Sequence, residues 1–203
     1  MSTCPAVNRS QRVRGSYRDP SGYVFFREGR VFRAIDDACF ETLSKLETSG
    51  LLARWAERGL LVNSRFVDEP SLRGVLEAEH PGYHRFLEHE RISPVSFPYE
   101  WSFSMLADAA VLTLDLQLEA IEAGYSLKDA TPFNVQFRGT RPVFIDLPSI
   151  ERPHRLDLWY ALGQFQRTFL YPLLLHHHRG WDLRSYFLGN LDGRDSNAVV
   201  RSF

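Results

Sequence analysis

Three oxygen-bearing side chains, Asp129, Asn134 and Asp146, punctuate the run Leu127-Lys-Asp-Ala-Thr-Pro-Phe-Asn-Val-Gln-Phe-Arg-Gly-Thr-Arg-Pro-Val-Phe-Ile-Asp-Leu147. Asp129 and Asn134 stand five apart in a loop, and Asp146 follows twelve later at the end of an apolar strand. Phosphoryl transfer requires a carboxylate that aligns the acceptor, together with oxygen ligands that hold Mg²⁺ against nucleotide phosphates. Mg²⁺ prefers hard oxygen donors and usually draws only one or two carboxylates from protein. An Asp-x4-Asn loop followed by a hairpin ending in Ile-Asp supplies that inventory. The competing reading is a capped loop and a β-turn, because Asp and Asn recur in turns for local hydrogen-bonding reasons.

Other clusters offer less. His176-His177-His178 suggests a metal, but consecutive helical residues point about 100° apart and cannot converge on one ion. A helix surface or end is the expected place for them. His80, His84 and His89 are loosely spaced, and Pro81-Gly82 breaks any helix joining the first two. Neither group has a cysteine beside it, so zinc is not expected. Leu188-Gly-Asn-Leu-Asp-Gly193 carries glycines without the strand–turn–helix unit that a dinucleotide fingerprint needs.

The elements that must position the loop are legible in outline. Two β-rich runs between Gly22 and Ile35 flank Glu28-Gly29, where Gly29 supplies the positive φ of a tight hairpin. Gly15–Gly22 is turn-forming and links an earlier strand to that hairpin. Asp36 or Asp37 caps a helix carrying Phe40, Leu43 and Leu46, which Gly50 ends. A second short helix covers Leu51–Arg58, and Leu60–Val62 reads as a strand. From Asp68 to Glu100, Pro70, Pro81, Pro94 and Pro98 interrupt the pattern, marking a linker. The longest helix runs from Ser102 or Ser104 to Ala123, with Leu106, Ala110, Leu114, Leu118 and Ile121 on one face and Gly124 closing it. Strands at Val135–Phe137 and Pro142–Ile145 follow. Leu156–Leu175 and Trp181–Leu188 read as helical, and the run Phe165, Phe169, Tyr171 and Leu173–Leu175 reads as core or as an interface with another domain.

The 203 residues are 44% hydrophobic and 13% aromatic, enough for a core and inconsistent with a mainly disordered chain. A formal charge of −1 argues against a dedicated nucleic-acid binder. Cys4 and Cys39 cannot make a disulfide framework, which fits a cytoplasmic protein. The apolar stretch Met105–Ile121 is broken by Asp108, Asp115, Gln117 and Glu119, so no membrane span is expected. Arg9, Arg12 and Arg14 lie in a start without the apolar region of a signal peptide, read as a flexible basic arm over 1–14. The organisation expected is therefore α+β with two lobes: an N-lobe and linker over 15–100, then a helical C-lobe over 101–203 holding the 125–147 segment.

The set Asp129, Asn134 and Asp146, in its helix–loop–hairpin order, resembles the protein-kinase-like superfamily, including small-molecule phosphotransferases of the aminoglycoside-kinase type. That resemblance implies Asp129 as catalytic base, Asn134 as a metal ligand and Asp146 as the main Mg²⁺ ligand, with ATP as the phosphoryl donor. It places Arg33 where the phosphate-pairing lysine of the third strand belongs, Glu41 as its helix partner, and Asp157-Leu-Trp on a helix. Glu100-Trp101 would line a cleft, or Trp101 would pack the start of the long helix. The departures are specific: Leu127-Lys128 precedes Asp129 instead of His-Arg or His-Gly, and Leu147-Pro148 follows Asp146 instead of Phe-Gly. Arginine replaces the nucleotide lysine and is not equivalent to it.

Phe97-Pro-Tyr-Glu-Trp-Ser-Phe-Ser104, Ser126–Asp129, Asn134–Phe137, Val143–Asp146 and Ser149–Glu151 are also similar to a bacterial family labelled nodulation-type or S-adenosylmethionine-dependent methyltransferases. There, such a segment precedes a separate methyltransferase domain. Two functions follow as expectations. One is an ATP- and Mg²⁺-dependent phosphotransferase acting on a small-molecule or peptide hydroxyl. The other is a non-catalytic kinase-like module assisting a methyltransferase or another biosynthetic partner. Only 57 residues follow Asp146, fewer than a full kinase-like large lobe uses, so the expected fold is shortened: either a compact minimal version or a segment whose partner domain lies elsewhere.

Overall fold

The computed structural model describes residues 10–13 and 22–203. Cys4, Arg9, Arg14 and most of the Gly15–Gly22 turn lie outside them. The chain divides into two compact units, one of residues up to Thr48 with Asn63–Arg91, the other of Ser49–Val62 with Ile92–Phe203. Ser49–Val62, placed with the N-lobe by sequence, thus belongs to the second unit.

The first unit is a five-stranded antiparallel sheet with two helices. Its strands are β1 (Gln11–Arg12), β2 (Gly22–Arg27), β3 (Arg30–Ile35), β4 (Ser64–Phe66) and β5 (Arg85–His89), in the order β1-β2-β3-β5-β4. Arg12, expected in a loose arm, is on β1, and its guanidinium sits over the Tyr23 ring at 4.0 Å. The hairpin between β2 and β3 turns at Glu28 (φ 52°) and Gly29 (φ 75°), as the Glu-Gly pair predicts. At Gly22 the strands approach so closely that a Cβ would lie 1.9 Å from the Ala34 carbonyl oxygen, which only glycine tolerates. Phe25, Phe32, Ala34 and Phe86 come to one face by strand alternation and pack with Val67 and Leu76. Each large side chain there contributes about 1.5–3 kcal/mol of burial.

Helix α1 (Asp37–Thr48) buries Cys39, Leu43 and Leu46. Asp36 caps it by accepting from the Cys39 amide at 2.7 Å. Helix α3 (Pro70–Glu79) starts on a proline, whose missing N–H costs nothing in a first turn, and closes the core with Leu76. The 68–100 stretch is therefore not a linker throughout: α3 and β5 occupy much of it. Pro70 starts an element there instead of breaking one.

The second unit is mostly helical. Helix α2 (Leu51–Glu57) buries Trp55, whose indole N–H donates to Glu119 at 3.0 Å. Helix α4 (Phe103–Glu122) is capped by the Ser102 hydroxyl. It buries Leu106, Ala109, Ala110, Leu112, Thr113, Leu116, Gln117 and Ala120, while Leu114 and Leu118 are 38% and 61% exposed. The expected Leu106–Ile121 stripe is thus wrong in its lower half. Strands β6 (Ser126–Leu127) and β9 (Ile150–Glu151) pair with each other, as do β7 (Val135–Arg138) and β8 (Arg141–Phe144). Residues 60–62 join β8 through Phe144 N–H to the Leu60 carbonyl at 3.0 Å and Val62 N–H to the Phe144 carbonyl at 2.8 Å.

The helical reading of Leu156–Leu175 fails before residue 162, where the chain turns. Helix α5 (Leu162–Phe165) runs through a widened π turn at Gln166–Leu170 into α6 (Tyr171–Arg179). Pro172 lacks an N–H for the ladder, which accounts for the widening before it. Helices α7 (Leu183–Gly189) and α8 (Ser196–Val200) are capped by Asp182 and Asp195. Phe165, Phe169 and Leu175 are buried. No helix among the described residues is long and apolar enough to cross a membrane.

Candidate functional site

Strand β6 delivers the chain to Lys128-Asp129, a 3₁₀ turn at Pro132–Asn134 reverses it, and the β7–β8 hairpin brings it back to Asp146. The return is fixed by the Ile145 amide donating to the Asn134 carbonyl at 2.8 Å, and by the Lys128 amide donating to the Ser149 carbonyl at 2.8 Å. These backbone bonds join the two halves of the segment, so residues far apart in sequence share one place.

Asp129, Asn134 and Asp146 come together there, all half-buried. Asn134 Nδ2 donates to the Asp129 carbonyl at 3.5 Å and to Ser149 Oγ at 3.3 Å. Ser149 Oγ in turn donates to Asp146 Oδ2 at 2.5 Å, a short bond of the charge-assisted kind. One fully buried hydroxyl thus bridges the two expected metal ligands. The donors are amide, carboxylate and hydroxyl oxygens, a set that suits Mg²⁺ far better than zinc. Among the described residues no group of three or more His, Cys, Asp or Glu gathers to hold a metal. A cation held by Asn134 and Asp146 would therefore need further oxygen ligands from outside the protein.

Four further side chains hold the loop: Trp159 belongs to the Asp157-Leu-Trp run noted in the sequence, and the other three are not marked there as part of a site. Gln117, buried on α4, donates to Ser126 Oγ at 3.0 Å and accepts from the Leu127 amide at 2.8 Å. Trp159 donates its indole N–H to the Leu127 carbonyl at 2.9 Å. Gln164 accepts from the Ala130 amide at 2.6 Å, and Thr168 donates to the Ala130 carbonyl at 3.4 Å. Lys128-Asp129 is thus bracketed by pinned backbone on both sides. For those three, the signal the sequence offers is Gln117, a polar residue inside a largely apolar helix.

The remaining candidates fall elsewhere. Arg33 lies in the first unit on β3, 6% exposed, between the β2 and β5 partners Val24 and Leu87. Glu41 does not share that burial: its side chain is 70% exposed and its carboxylate pairs with Lys45 at 2.5 Å, which lowers its pKa. Asp157 is in a turn, bonded to Arg155 at 3.0 Å, and not on a helix. Trp101 packs against Phe137, edge to face at 5.0 Å, and donates to Ser96, holding the entry to α4. His176, in the last turn of α6, donates from Nδ1 to the Trp181 carbonyl at 2.7 Å. His89, on β5, is buried with Nδ1 2.7 Å from Ser64 Oγ, and burial, with Arg33 near, depresses its pKa to about 3.

No family model matches the chain. It is 40% identical over 197 residues to nodulation protein NoeA of Rhizobium meliloti (strain 1021), an alignment covering 97% of this chain and 40% of that protein. The chain therefore spans about two fifths of the length of the curated relative it matches. Among solved structures it is similar to vaccinia related kinase 3, with a TM-score of 0.49 and 12% identity over all of this chain and 85% of that one.

Proposed function

We propose that this chain is a kinase-like phosphotransferase domain that moves a phosphoryl group from ATP to a hydroxyl of a small molecule or peptide. The observation that carries the reading is the Ser149 bridge, which joins Asn134 to Asp146 beside Asp129. An antiparallel sheet unit preceding a helical unit with this loop is the matching architecture. The acceptor oxygen forms a bond to the γ-phosphorus as the bond to the ADP oxygen breaks, and the hydroxyl proton passes to the Asp129 carboxylate. Asn134 and Asp146 would hold Mg²⁺, whose chemistry is to offset charge on the phosphate oxygens. Gln117, Trp159 and Gln164 keep the Asp129 backbone in register, so little reorganisation is needed.

The test is thermal melting with and without Mg²⁺-ATP. Binding at 100 times the dissociation constant adds about 2.7 kcal/mol, and Asp146→Ala is expected to abolish the increment. No shift at millimolar Mg²⁺-ATP would overturn the reading.

A second reading is favoured by arginine at position 33 and by the match to only part of a longer relative. In it the chain is a non-catalytic module that positions a methyltransferase or other biosynthetic enzyme. Its mark is co-purification with such a partner that Asp129→Asn leaves unchanged.

A further inference from the structure

We propose that Ser149 is the positioning residue that sets which oxygens Asn134 and Asp146 present to a divalent cation, a role resting on the cation-assisted reading above. A hydroxyl has one hydrogen and two acceptor sites. The Ser149 hydrogen is committed to Asp146 Oδ2 at 2.5 Å, so its lone pairs face Asn134 and meet Nδ2 at 3.3 Å. The other Nδ2 contact, the Asp129 carbonyl at 3.5 Å, also only accepts. An amide turned the other way would set Oδ1 against two acceptors. Asn134 is therefore held with Oδ1, the atom able to ligate a cation, directed away from Ser149.

On the aspartate side the same hydroxyl fixes the rotation of the carboxylate about its last bond. Ser149 cannot drift from this place. Its amide donates to the Asp146 carbonyl at 3.0 Å, its carbonyl accepts from Lys128, and its surface is fully buried. One residue thereby orients both ligands from behind, as outer partners do in metal sites, where their loss costs about 10–100-fold in affinity.

The experiment titrates Mn²⁺ in the presence of the non-hydrolysable analogue AMP-PNP by electron paramagnetic resonance. It uses the full chain carrying Ser149→Ala or Ser149→Cys, with circular dichroism melts in parallel. Cysteine fills the serine volume but is a weak hydrogen-bonding group. Both variants are expected to bind Mn²⁺ about tenfold or more weakly than the unaltered chain, with Ser149→Cys still melting cooperatively. Unchanged affinity in both variants overturns the proposal and leaves the phosphotransferase reading standing. Full affinity in Ser149→Cys alone also overturns it, because the side chain then only fills space. Failure of both to fold assigns Ser149 a purely structural part and overturns the proposal as well. If the unaltered chain takes up no Mn²⁺ with AMP-PNP, the cation-assisted reading itself falls and the proposal with it.

Discussion

Replacing Gln117 by methionine keeps the volume of a side chain that is 3% exposed while deleting its amide. Three contacts disappear: Nε2 to Ser126 Oγ at 3.0 Å, the longer Ser126 hydroxyl contact to Oε1 at 3.4 Å, and the Leu127 amide to Oε1 at 2.8 Å. The Leu127 N–H is left in a fully buried residue on β6. An orphaned buried donor costs about 1–3 kcal/mol and an ordinary lost bond about 1 kcal/mol. The expected loss is therefore about 2–4 kcal/mol, a large share of the ~5–15 kcal/mol that holds a typical domain. Urea denaturation measures it, and hydrogen exchange locates it: the Leu127 amide should lose protection before the α4 core does. Ser126→Ala alone removes one partner of the same network, so Gln117→Met with Ser126→Ala should cost less than the two singles added, by about 1 kcal/mol. A loss below about 0.5 kcal/mol, or strict additivity, refutes the claim that this amide pins the loop.

Two other expectations concern the framework. His89 is neutral when folded, its pKa held at about 3 against 6.5 by burial and by Arg33, so the unfolded chain takes up a proton that the native chain refuses. Stability then falls as pH drops below 6.5, by about 2 kcal/mol at pH 5. Glu88, held to about 2 by Arg30 and Arg65, weakens the fold only below its ordinary 4.5. Urea midpoints from pH 7 to 5 should show a drop that His89→Phe reduces, with buried His80, whose pKa burial also lowers, supplying the remainder, and an unchanged slope would contradict the assignment. Gly193 has φ +75°, and a Cβ there would meet the Arg167 carbonyl oxygen at 2.4 Å. Gly193→Ala should therefore cost at least about 2 kcal/mol through strain and displacement. Thermal melting checks it, and an unshifted midpoint would show that the turn relaxes freely.

The sequence by itself carried the α+β order, the β2–β3 hairpin, the β7–β8 hairpin, the extent of α4 and the placing of Asp129, Asn134 and Asp146 on one loop-and-hairpin segment. These are local matters. Glu28-Gly29 imposes a turn through its backbone, Ser102 caps a helix with its own hydroxyl, and alternation or periodicity needs no distant partner. Tertiary structure decided which face of α4 is inside. Apolar residues on α4 spread over more than one face, so helical spacing alone does not choose between them. Gln117 could be buried, and Leu114 and Leu118 left exposed, because its amide found partners in Ser126 and Leu127, while buried Thr113 satisfies its hydroxyl within the helix at Ala109. The proline-marked stretch departs from its linker reading for a similar reason. Pro70 starts a helix or breaks one equally well by local rules, and the packing of Leu76 under the sheet chose the first. Glu41 sits at helical spacing for an inward pair, yet Lys45 one turn on was the nearer charge. Above all, Ser149 became the bridge of the site only when backbone bonds from Lys128 and Ile145 folded residues 128–149 back on themselves. Hydrogen bonds between distant residues carry no periodicity in the chain, so their geometry belongs to the fold alone.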